Sequence, residues 1–586
     1  MENSSYRIID DKVIIRTRDR MCENPEELLS SKLMFRITRR VVRDLTRRNS
    51  PLARIFNHRL VSDADVKALL ETFKLLLKIS PEMVVRVLPE AEQFLRDSQL
   101  LNSFVEYLYN YWRSMQRVIV CDSEGNRFDR RPYRTFNNTV EMLTHLIRST
   151  YRDLQESITG NHPRIYRQVR SGAEIATIAM PREIQYPSAV YRKLNEIPII
   201  RQILIYPPLI FNPKMNKRTG TFERVDSNPL ESLEIHKENW LCYPAKVGPL
   251  LIMIYFSIKF AELGFSLCNL FEMADEKDLH ARPDAIYVYG VPDHEFQTPT
   301  DNRTVFFDDV ENGMLVAAVP DADKFAYFGY LKKMVLTLHN IVMMKRGRLP
   351  FHGALVSLSI RGSKTPLTVL TLGDTGAGKS ETLEAFRQIG GEEIEDITII
   401  ADDMGSISGV NNGLLLGYGT ETGAFIRLDD LQKGYAFGQI DRTIIMNPDQ
   451  TNARVILPVT TYSAITRGYP IDVVLYANNY EAVDDTHPTI EWFDSAEEAL
   501  AVFRAGRVMS KGTTTTTGIV QTYFANVFGP HQYQAEHELL ASRYFEVLFK
   551  RGVRVGQLRT QLGISGMERQ GPEIAARALM DLARKV

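Results

Sequence analysis

The clearest pattern of apolar and polar positions is a short apolar run, a glycine-rich turn and a second apolar run in the C-terminal half of the chain. Residues 366–372 (PLTVLTL) are apolar and β-branched, which predicts a buried strand. Residues 380–389 (SETLEAFRQI) follow the turn and are expected to form a helix. Residues 396–401 (DITIIA) predict a second strand, which we expect to end at Asp402 and Asp403.

The turn between the first strand and the helix, GDTGAGKS over 373–380, matches the phosphate-binding pattern G-x-x-x-x-G-K-[ST]. Glycines let the backbone wrap closely enough for its N–H groups to face phosphate oxygens, and the helix N-terminus favours the anion. The lysine would reach the β- and γ-phosphates, and the serine with Asp402 or Asp403 would hold Mg²⁺. The candidate nucleotide-binding residues are Gly373, Asp374, Thr375, Gly376, Ala377, Gly378, Lys379, Ser380 and Glu381. The alternative is a chance glycine-rich turn, with the two aspartates capping a helix.

The rest of the chain predicts an α/β protein of several domains. Residues 62–79 and 98–120 repeat apolar positions every three and four residues, so 1–160 is expected to form an N-terminal helical domain. A mixed α/β lobe is expected over 161–330, with a helical run after Pro249, and a nucleotide-binding lobe over 331–586.

Composition narrows the possible partners and location. The 586 residues carry a formal net charge of −1, so nucleic acid and membrane surfaces are not expected partners. The four cysteines show no C-x-x-C spacing, which argues against a disulfide framework. The N-terminus lacks the apolar core of a signal peptide, and the most apolar stretch, 250–258, is too short to cross a membrane. We therefore expect a cytoplasmic protein with reduced cysteines.

One local concentration of charge occurs in the predicted helical domain. Arginines recur there at helical spacing and form what we call the arginine strip: Arg36, Arg39, Arg40, Arg43, Arg47 and Arg48. The strip could bind an acidic protein partner or nucleic acid. The alternative, which we favour, is a solvated face whose counter-charges come from Asp44 and neighbouring helices.

Several short motifs in the same order resemble a known superfamily. GDTGAGKSET followed by ADD resembles the P-loop of HPr kinase/phosphorylase, and the surrounding region of about 300 residues resembles the ATP-dependent phosphoenolpyruvate carboxykinases. In chain order the further matches are YFGYLKK at 327–333, LPFHGA at 349–354, GTETG at 419–423, TNARVILP at 451–458 and KGTTTTT at 511–517.

The resemblance implies roles for particular residues. Lys379 and Arg454 would flank the γ-phosphoryl group of ATP, and the loop from Lys511 to Thr517 would contact adenine. A second metal, Mn²⁺ besides Mg²⁺, would be held by Lys333, His352 and Asp403, with Lys332 as the neighbouring cation that keeps the metal-binding amine neutral. The alternative is that both lysines are exposed helix positions and His352 is an ordinary strand residue.

The implied activity is the conversion of oxaloacetate and ATP to phosphoenolpyruvate, CO₂ and ADP. The segment 219–222 (TGTF) lacks the arginine that follows the glycine in the family's substrate-binding motif, although Arg218 and Arg224 flank it. A second hypothesis is a kinase of the HPr-kinase type, which acts on a protein or small-molecule hydroxyl with Asp403 as base. A third is a nucleotide-binding regulatory protein that acts through the helical domain.

Overall fold

The computed structural model describes residues 4–18, 20–57, 60–125, 131–165, 169–218, 222–292, 294, 296, 304–409, 414–428, 440–510, 518–529 and 533–585. The chain folds into two compact units. The first, called the N-terminal unit, contains residues 1–182 and 198–206, and the second, called the C-terminal unit, contains 183–197 and 207–586. The predicted domain limits at 160 and 330 stay a prediction.

The described helices and strands show a mixed α/β protein, as the sequence predicts. The helices are α1 Pro25–Leu29, α2 Lys32–Arg47, α3 Asp63–Leu76, α4 Pro81–Val87, α5 Glu92–Leu95, α6 Ser98–Ser114, α7 Arg131–Thr159, α8 Ala189–Arg192, α9 Ala261–Ser266, α10 Phe328–Lys345, α11 Lys379–Ile389, α12 Tyr462–Thr466, α13 Ala496–Ala505, α14 Gln534–Lys550 and α15 Gln570–Ala583. The strands are β1 Ser4–Ile9, β2 Lys12–Thr17, β3 Gln116–Asp122, β4 Ile175–Met180, β5 Ile199–Ile205, β6 Leu209–Phe211, β7 Glu223–Val225, β8 Trp240–Val247, β9 Leu250–Ser257, β10 Glu272–Met273, β11 Ala285–Val291, β12 Val305–Asp309, β13 Met314–Pro320, β14 Leu349–Ile360, β15 Leu367–Leu372, β16 Ile394–Gly409, β17 Leu415–Gly419, β18 Gly423–Arg427, β19 Ile444–Met446, β20 Arg454–Pro458, β21 Tyr469–Pro470, β22 Val473–Asn478, β23 Ile490–Trp492, β24 Arg507–Ser510, β25 Gly518–Gln521 and β26 Arg554–Arg559.

The N-terminal unit combines helices α1–α7 with a sheet. Its strands lie in the order β1-β2-β3-β4-β5, with β2, β3 and β4 parallel and the outer pairs antiparallel. Helix α3 begins with a complete capping box, in which Ser62 and Asp65 each accept from the other's backbone N–H. The apolar sides of α2, α3, α6 and α7 form one buried core with the sheet.

Two sequence predictions of secondary structure are wrong in part. Residues 98–120 were expected as one helix, but α6 ends at Ser114 and residues 116–122 form β3. The β-branched run RVIV pairs between β2 and β4, and this pairing overrides the helical period. The run after Pro249 is the strand β9, which is buried along its whole length, rather than a helix. A fully apolar run has no period that separates strand from helix.

The C-terminal unit contains the sheet that carries the candidate site. Its eight strands lie in the order β21-β17-β16-β14-β15-β22-β26-β23. Further strands of this unit lie in the orders β8-β9-β11-β13-β12-β7 and β18-β20-β19-β6, and β24 pairs with β25. No helix in the described part of the chain combines the length and apolar character needed to cross a bilayer.

Both faces of the eight-stranded sheet are covered, which explains the continuous apolar runs in its central strands. In β15, Leu367 and Val369 pack on the side of α11 and α15, whereas Leu370 and Leu372 pack on the side of α13 and α14. Strand β22 alternates in the same way. Because successive side chains of a strand point to opposite faces, a strand between two helical layers buries both of its faces. Strand β15 is accordingly apolar apart from the buried Thr368 and Thr371.

Candidate functional site

The glycine-rich turn joins β15 to α11 in the C-terminal unit, as the sequence predicts. Gly376 and Gly378 have φ angles of +79° and +95°, which L residues with a side chain rarely adopt. A Cβ on Gly378 would lie 2.6 Å from Oγ1 of Thr560, so this glycine is also required by close packing. The amine of Lys379 donates to the carbonyl oxygens of Gly373 and Asp374 and thus lies against its own loop.

Side chains from distant segments hold the turn in place. Oγ1 of Thr560 donates to the carbonyl of Ala377 at 2.7 Å, and Nδ2 of Asn479 donates to the carbonyl of Gly376 at 2.9 Å. Oγ1 of Thr522 donates to the Asp374 carboxylate at 3.1 Å. The sequence analysis missed these three residues because no local pattern marks them. They lie about 100 to 180 residues along the chain from the turn, and only the tertiary structure brings them next to it.

The pairing register brings the predicted carboxylates to the level of the turn. Gly353 in β14 pairs with Leu372 on one side and with Asp403 on the other. The expectation that β16 ends at Asp402 and Asp403 is wrong, because β16 continues to Gly409 and pairs with β14 as far as Ile407. Asp403 has a φ of +125°. Such an outlier in the middle of a strand costs free energy and commonly marks a functional site.

The two adjacent carboxylates face different partners. Oγ of Ser380, in the first turn of α11, donates to Oδ1 of Asp402 at 3.2 Å. Burial raises the pKa of the Asp402 carboxyl, and the charge of Asp403 adds to this effect. Ser380 and Asp402 therefore provide two oxygen ligands beside the turn, where a phosphate-bound Mg²⁺ would need them.

Asp403, whose side chain is 28% exposed, belongs to a group of titratable side chains whose other members are buried. We call this group the Asp403 cluster: Lys332, His352, Asp403 and Glu421. The amine of Lys332 lies 2.6 Å from Oδ2 of Asp403 and 3.0 Å from Oε1 of Glu421. The side chain of Lys332 is 3% exposed and that of Glu421 is 1% exposed. The alternative that Lys332 is an exposed helix position is therefore wrong.

Burial and charge pairing shift the pKa values within the cluster in different directions. Burial disfavours the charged form of Asp403, but Lys332 and His352 outweigh it and hold the pKa of this carboxyl well below its usual range. Burial also disfavours the charged form of Lys332, but the negative charges of Asp403 and Glu421 outweigh burial and raise the pKa of this amine. Burial raises the pKa of Glu421 to about 8, although Lys332 opposes this shift. Lys332 is thus a fixed cation, and Glu421 is the carboxyl that titrates near neutral pH.

His352 lies between two acceptors. Its Nδ1 is 2.5 Å from the carbonyl oxygen of Ala525, and its Nε2 is 2.8 Å from Oδ1 of Asp403. Carbonyl and ionised carboxylate oxygens only accept hydrogen bonds, so the ring must present a proton at each nitrogen or share the Nε2 position with a cation. A histidine whose Nδ1–H is fixed by a backbone carbonyl presents Nε2 in the arrangement that is typical of metal ligands.

Lys333, the next residue along α10, has a different environment from Lys332. Its amine lies 4.7 Å from the centre of the Phe528 ring, and no hydrogen bond from it to another described residue is found. Burial and the charge of Arg218 lower the pKa of Lys333 to about 8, against the attraction of Asp403 and Asp374. An amine with a lowered pKa loses its proton at smaller cost, which is the property a metal-binding lysine needs.

Arg454 and Lys332 of the Asp403 cluster both lie near the ring of Phe425. The guanidinium carbon of Arg454 lies 5.4 Å from the centre of the Phe425 ring, and the Lys332 amine lies 6.0 Å from it. Nε of Arg454 is buried without a hydrogen-bond partner in the described part of the chain. A buried donor without a partner is costly, and an anion bound here would satisfy it.

Some predicted residues are not brought together by described contacts. Lys511 and Thr517, with the threonines between them, lie outside the described residues, and so do residues 219–221 of the compared substrate motif. Among the described residues, no group of three or more histidine, cysteine, aspartate or glutamate side chains is arranged to hold a metal ion.

For three residues of the arginine strip the structure shows counter-charges. Arg47 and Arg48 pair with Asp44 at 2.9 and 3.2 Å, and Arg39 pairs with Asp63 at 2.8 Å. All three arginine side chains are more than half exposed. Binding of an acidic protein partner at this strip stays a prediction.

Comparison with known proteins adds no family assignment. No protein-family model matches the chain, and no curated protein matches it significantly.

Proposed function

We propose that the C-terminal unit binds ATP with Mg²⁺ and transfers its γ-phosphoryl group to an organic acid, in the manner of the ATP-dependent phosphoenolpyruvate carboxykinases. The observation that carries this proposal is the convergence of a P-loop, two adjacent carboxylates and His352 at one end of the eight-stranded sheet. Phosphoryl transfer depends mainly on positioning and on neutralising charge, and the site offers groups for both.

The residues have separate tasks in this proposal. The turn and Lys379 hold the β- and γ-phosphates, and Ser380 with Asp402 provides oxygen ligands for Mg²⁺. Lys332 keeps Asp403 ionised, because their atoms lie 2.6 Å apart and the lysine is buried. Arg454, whose Nε lacks a partner in the described structure, is available to the transferred phosphoryl oxygens.

The donor set beside Asp403 fits a second divalent ion. Nε2 of His352 and the carboxylate of Asp403 provide one nitrogen and one oxygen donor, and Lys333 provides an amine with a lowered pKa. When bound, such an ion would stabilise the negative charge that develops on an enol oxygen during decarboxylation. The carbonyl oxygen of Ala525 would fix the orientation of the His352 ring in such a site.

The direct experiment is an assay of the purified full chain with ATP, Mg²⁺, Mn²⁺ and oxaloacetate. We expect ADP and phosphoenolpyruvate to form together, and Mn²⁺ to raise the rate above that reached with saturating Mg²⁺. The variants His352→Ala and Lys333→Met should abolish the Mn²⁺ effect and leave ATP binding near normal, because neither residue belongs to the phosphate-binding turn. Full activity on Mg²⁺ alone in both variants would contradict the carboxykinase proposal.

A second candidate is a kinase of the HPr-kinase type, in which Asp403 accepts the proton of a hydroxyl. The strongly lowered pKa of Asp403 counts against it, because a carboxylate that holds its charge so firmly is a weak base. Transfer of phosphate from ATP to a hydroxyl compound without release of CO₂ would favour the kinase.

A further inference from the structure

A feature of the N-terminal unit that the proposed function does not use is a cavity of about 100 Å³. Its wall is formed mainly by five helices and two strands: α1, α2, α3, α6, α7, β1 and β2. Protein interiors are close-packed and contain few voids larger than a water molecule, so a cavity of this size stands out in a core. An apolar cavity of about 150 Å³ stays dry and binds benzene. The space in the N-terminal unit is of the same order and suits a single small ring.

The wall contains no charged side chain among the described residues. Oγ1 of Thr150 donates to the carbonyl of Leu146 at 2.8 Å, and Oγ of Ser31 accepts from the backbone N–H of Met34 at 3.0 Å. Burial raises the pKa of the Cys22 thiol to about 11, so this side chain stays neutral at physiological pH. The wall therefore offers no charge to a ligand, and these two hydroxyl groups are already hydrogen-bonded.

Five aromatic side chains take part in the wall: Tyr6, Phe73, Tyr109, Trp112 and Tyr151. The hydroxyl of Tyr151 donates to the carboxylate of Glu106, and Nε1 of Trp112 donates to the carbonyl of Ser171 at 2.6 Å. Neither partner belongs to the wall. Because partners outside the wall satisfy these polar ends, the two side chains present mainly ring surface to the cavity.

The composition of the wall determines which kind of ligand can be bound. A charged or polar ligand would lose its hydrogen bonds to water on entry and would find no charged partner in the described wall. A neutral apolar molecule loses no such bonds, and its transfer out of water is favourable. It also gives the atoms of the wall the contacts that they lack across an empty space. A flat ring meets this requirement best, because aromatic side chains pack favourably against the edges and faces of other rings.

We propose that the N-terminal unit binds a small, neutral, apolar ring compound in this cavity. The five aromatic side chains would contact the ring, and aliphatic side chains of α1, α2, α6 and α7 would enclose it. The inference is independent of the proposed phosphoryl transfer, because the described wall belongs to the N-terminal unit and the glycine-rich turn belongs to the C-terminal unit. It assigns the N-terminal unit a binding function of its own.

The first test is calorimetric titration of the full chain with benzene and with pyridine. The two probes have the same shape, but pyridine replaces one C–H of the ring with a nitrogen acceptor that must give up its hydrogen bond to water. We expect benzene to bind about ten-fold or more tightly than pyridine, because the desolvation of this nitrogen is not compensated in an apolar wall. No binding of benzene, or binding of pyridine as tight as that of benzene, would overturn the inference.

The second test locates the ligand by NMR of the full chain labelled with ¹³C at the methionine methyl groups. Met21 and Met34 lie in the wall of the cavity, whereas Met344 lies in the wall of a cavity in the C-terminal unit and Met142 is 48% exposed. The ring current of benzene should shift the signals of Met21 and Met34 and leave those of Met344 and Met142 in place. Benzoate, which adds a carboxylate to the ring, should shift neither wall signal. Shifts at Met344 without shifts at Met21 and Met34, or shifts of the wall signals by benzoate, would overturn the inference.

A pair of variants tests the cavity itself. Ile147→Trp fills the space from the wall and should weaken benzene binding about ten-fold or more, because the larger side chain occupies the place of the ligand. Ile165→Trp makes the same exchange at a 71% exposed position of the same unit and should leave the binding unchanged. Thermal unfolding checks that both variants fold. Unchanged benzene binding in a folded Ile147→Trp would overturn the inference, and if this variant does not fold, the methionine signals of the parent chain decide.

Discussion

The arginine strip on α2 and the Asp403 cluster are both rich in charge, but they differ in burial. Arg39, Arg47 and Arg48 are more than half exposed and pair with nearby aspartates in water. Lys332 and Glu421 are at most 3% exposed, and burial and pairing shift their pKa values. Exposed ion pairs contribute little because water and salt screen them, whereas buried charges depend strongly on each partner. The comparison teaches that charge density alone does not identify a chemical site.

The largest effect is expected when the cation of the Asp403 cluster is removed. Lys332→Met leaves Asp403 and Glu421 without their buried counter-charge, which should cost about 3–5 kcal/mol in the free energy of unfolding. Urea denaturation measures this loss. Lys214→Met breaks an ion pair of similar length whose side chains are both about half exposed, and it should cost less than about 1 kcal/mol. Equal losses in the two variants would break the distinction between buried and exposed charges.

The next effect concerns activity rather than stability. Lys379→Ala removes the amine of the glycine-rich turn and should lower kcat about 10²–10³-fold, or roughly 2.7–4 kcal/mol, as is typical for a group that stabilises the transition state. The measurement is ADP formation at saturating ATP, with thermal unfolding as the check on folding. The exposed Lys364→Ala is the control and should keep full activity. Unchanged turnover in Lys379→Ala would show that the turn takes no part in the reaction.

The next prediction concerns pH and tests whether burial also disfavours the charged form of His339, which lies farther along α10 than Lys332 and Lys333. Burial lowers the pKa of His339 to about 4, so the folded state takes up this proton at lower pH than the unfolded state, where the usual value is near 6.5. Between these values the unfolded state binds more protons, and stability falls as the pH falls, by at most about 1.4 kcal/mol per pH unit.

The measurement is urea denaturation of the parent and of His339→Gln at pH 7, 5.5 and 4.5. The parent should lose about 2–3 kcal/mol more than the variant between pH 7 and 4.5. His280→Gln, at an exposed histidine, should behave as the parent does. The same acid loss in parent and His339→Gln would mean that this histidine does not carry the effect.

The smallest effect is expected on the arginine strip. Arg39→Ala breaks an exposed ion pair with Asp63 and should change the free energy of unfolding by less than about 1 kcal/mol, and less at high salt. Urea denaturation at low and high salt measures both. A loss above about 2 kcal/mol would show that the strip is not a simple solvated face.

The parts of the site that were predictable are local in the sequence. The strand before the glycine-rich turn, the turn itself and the helix after it follow from residues 366–389, because apolar runs, glycines and helix formers act over a few neighbours. The mixed α/β character follows from the same patterns. The run after Pro249 was misread because a strand that is buried on both faces has no alternation to reveal it.

The sequence by itself determined which residues could form a phosphate-binding turn and which carboxylates could accompany it. Only the tertiary structure decided that Lys332 pairs with Asp403 whereas Lys333 faces Phe528, although the two lysines are adjacent in the chain. It also decided that Thr560 and Asn479 hold the turn and that Ala525 holds the ring of His352. The physical reason is that pairing and burial depend on strand order and register, which join segments more than a hundred residues apart.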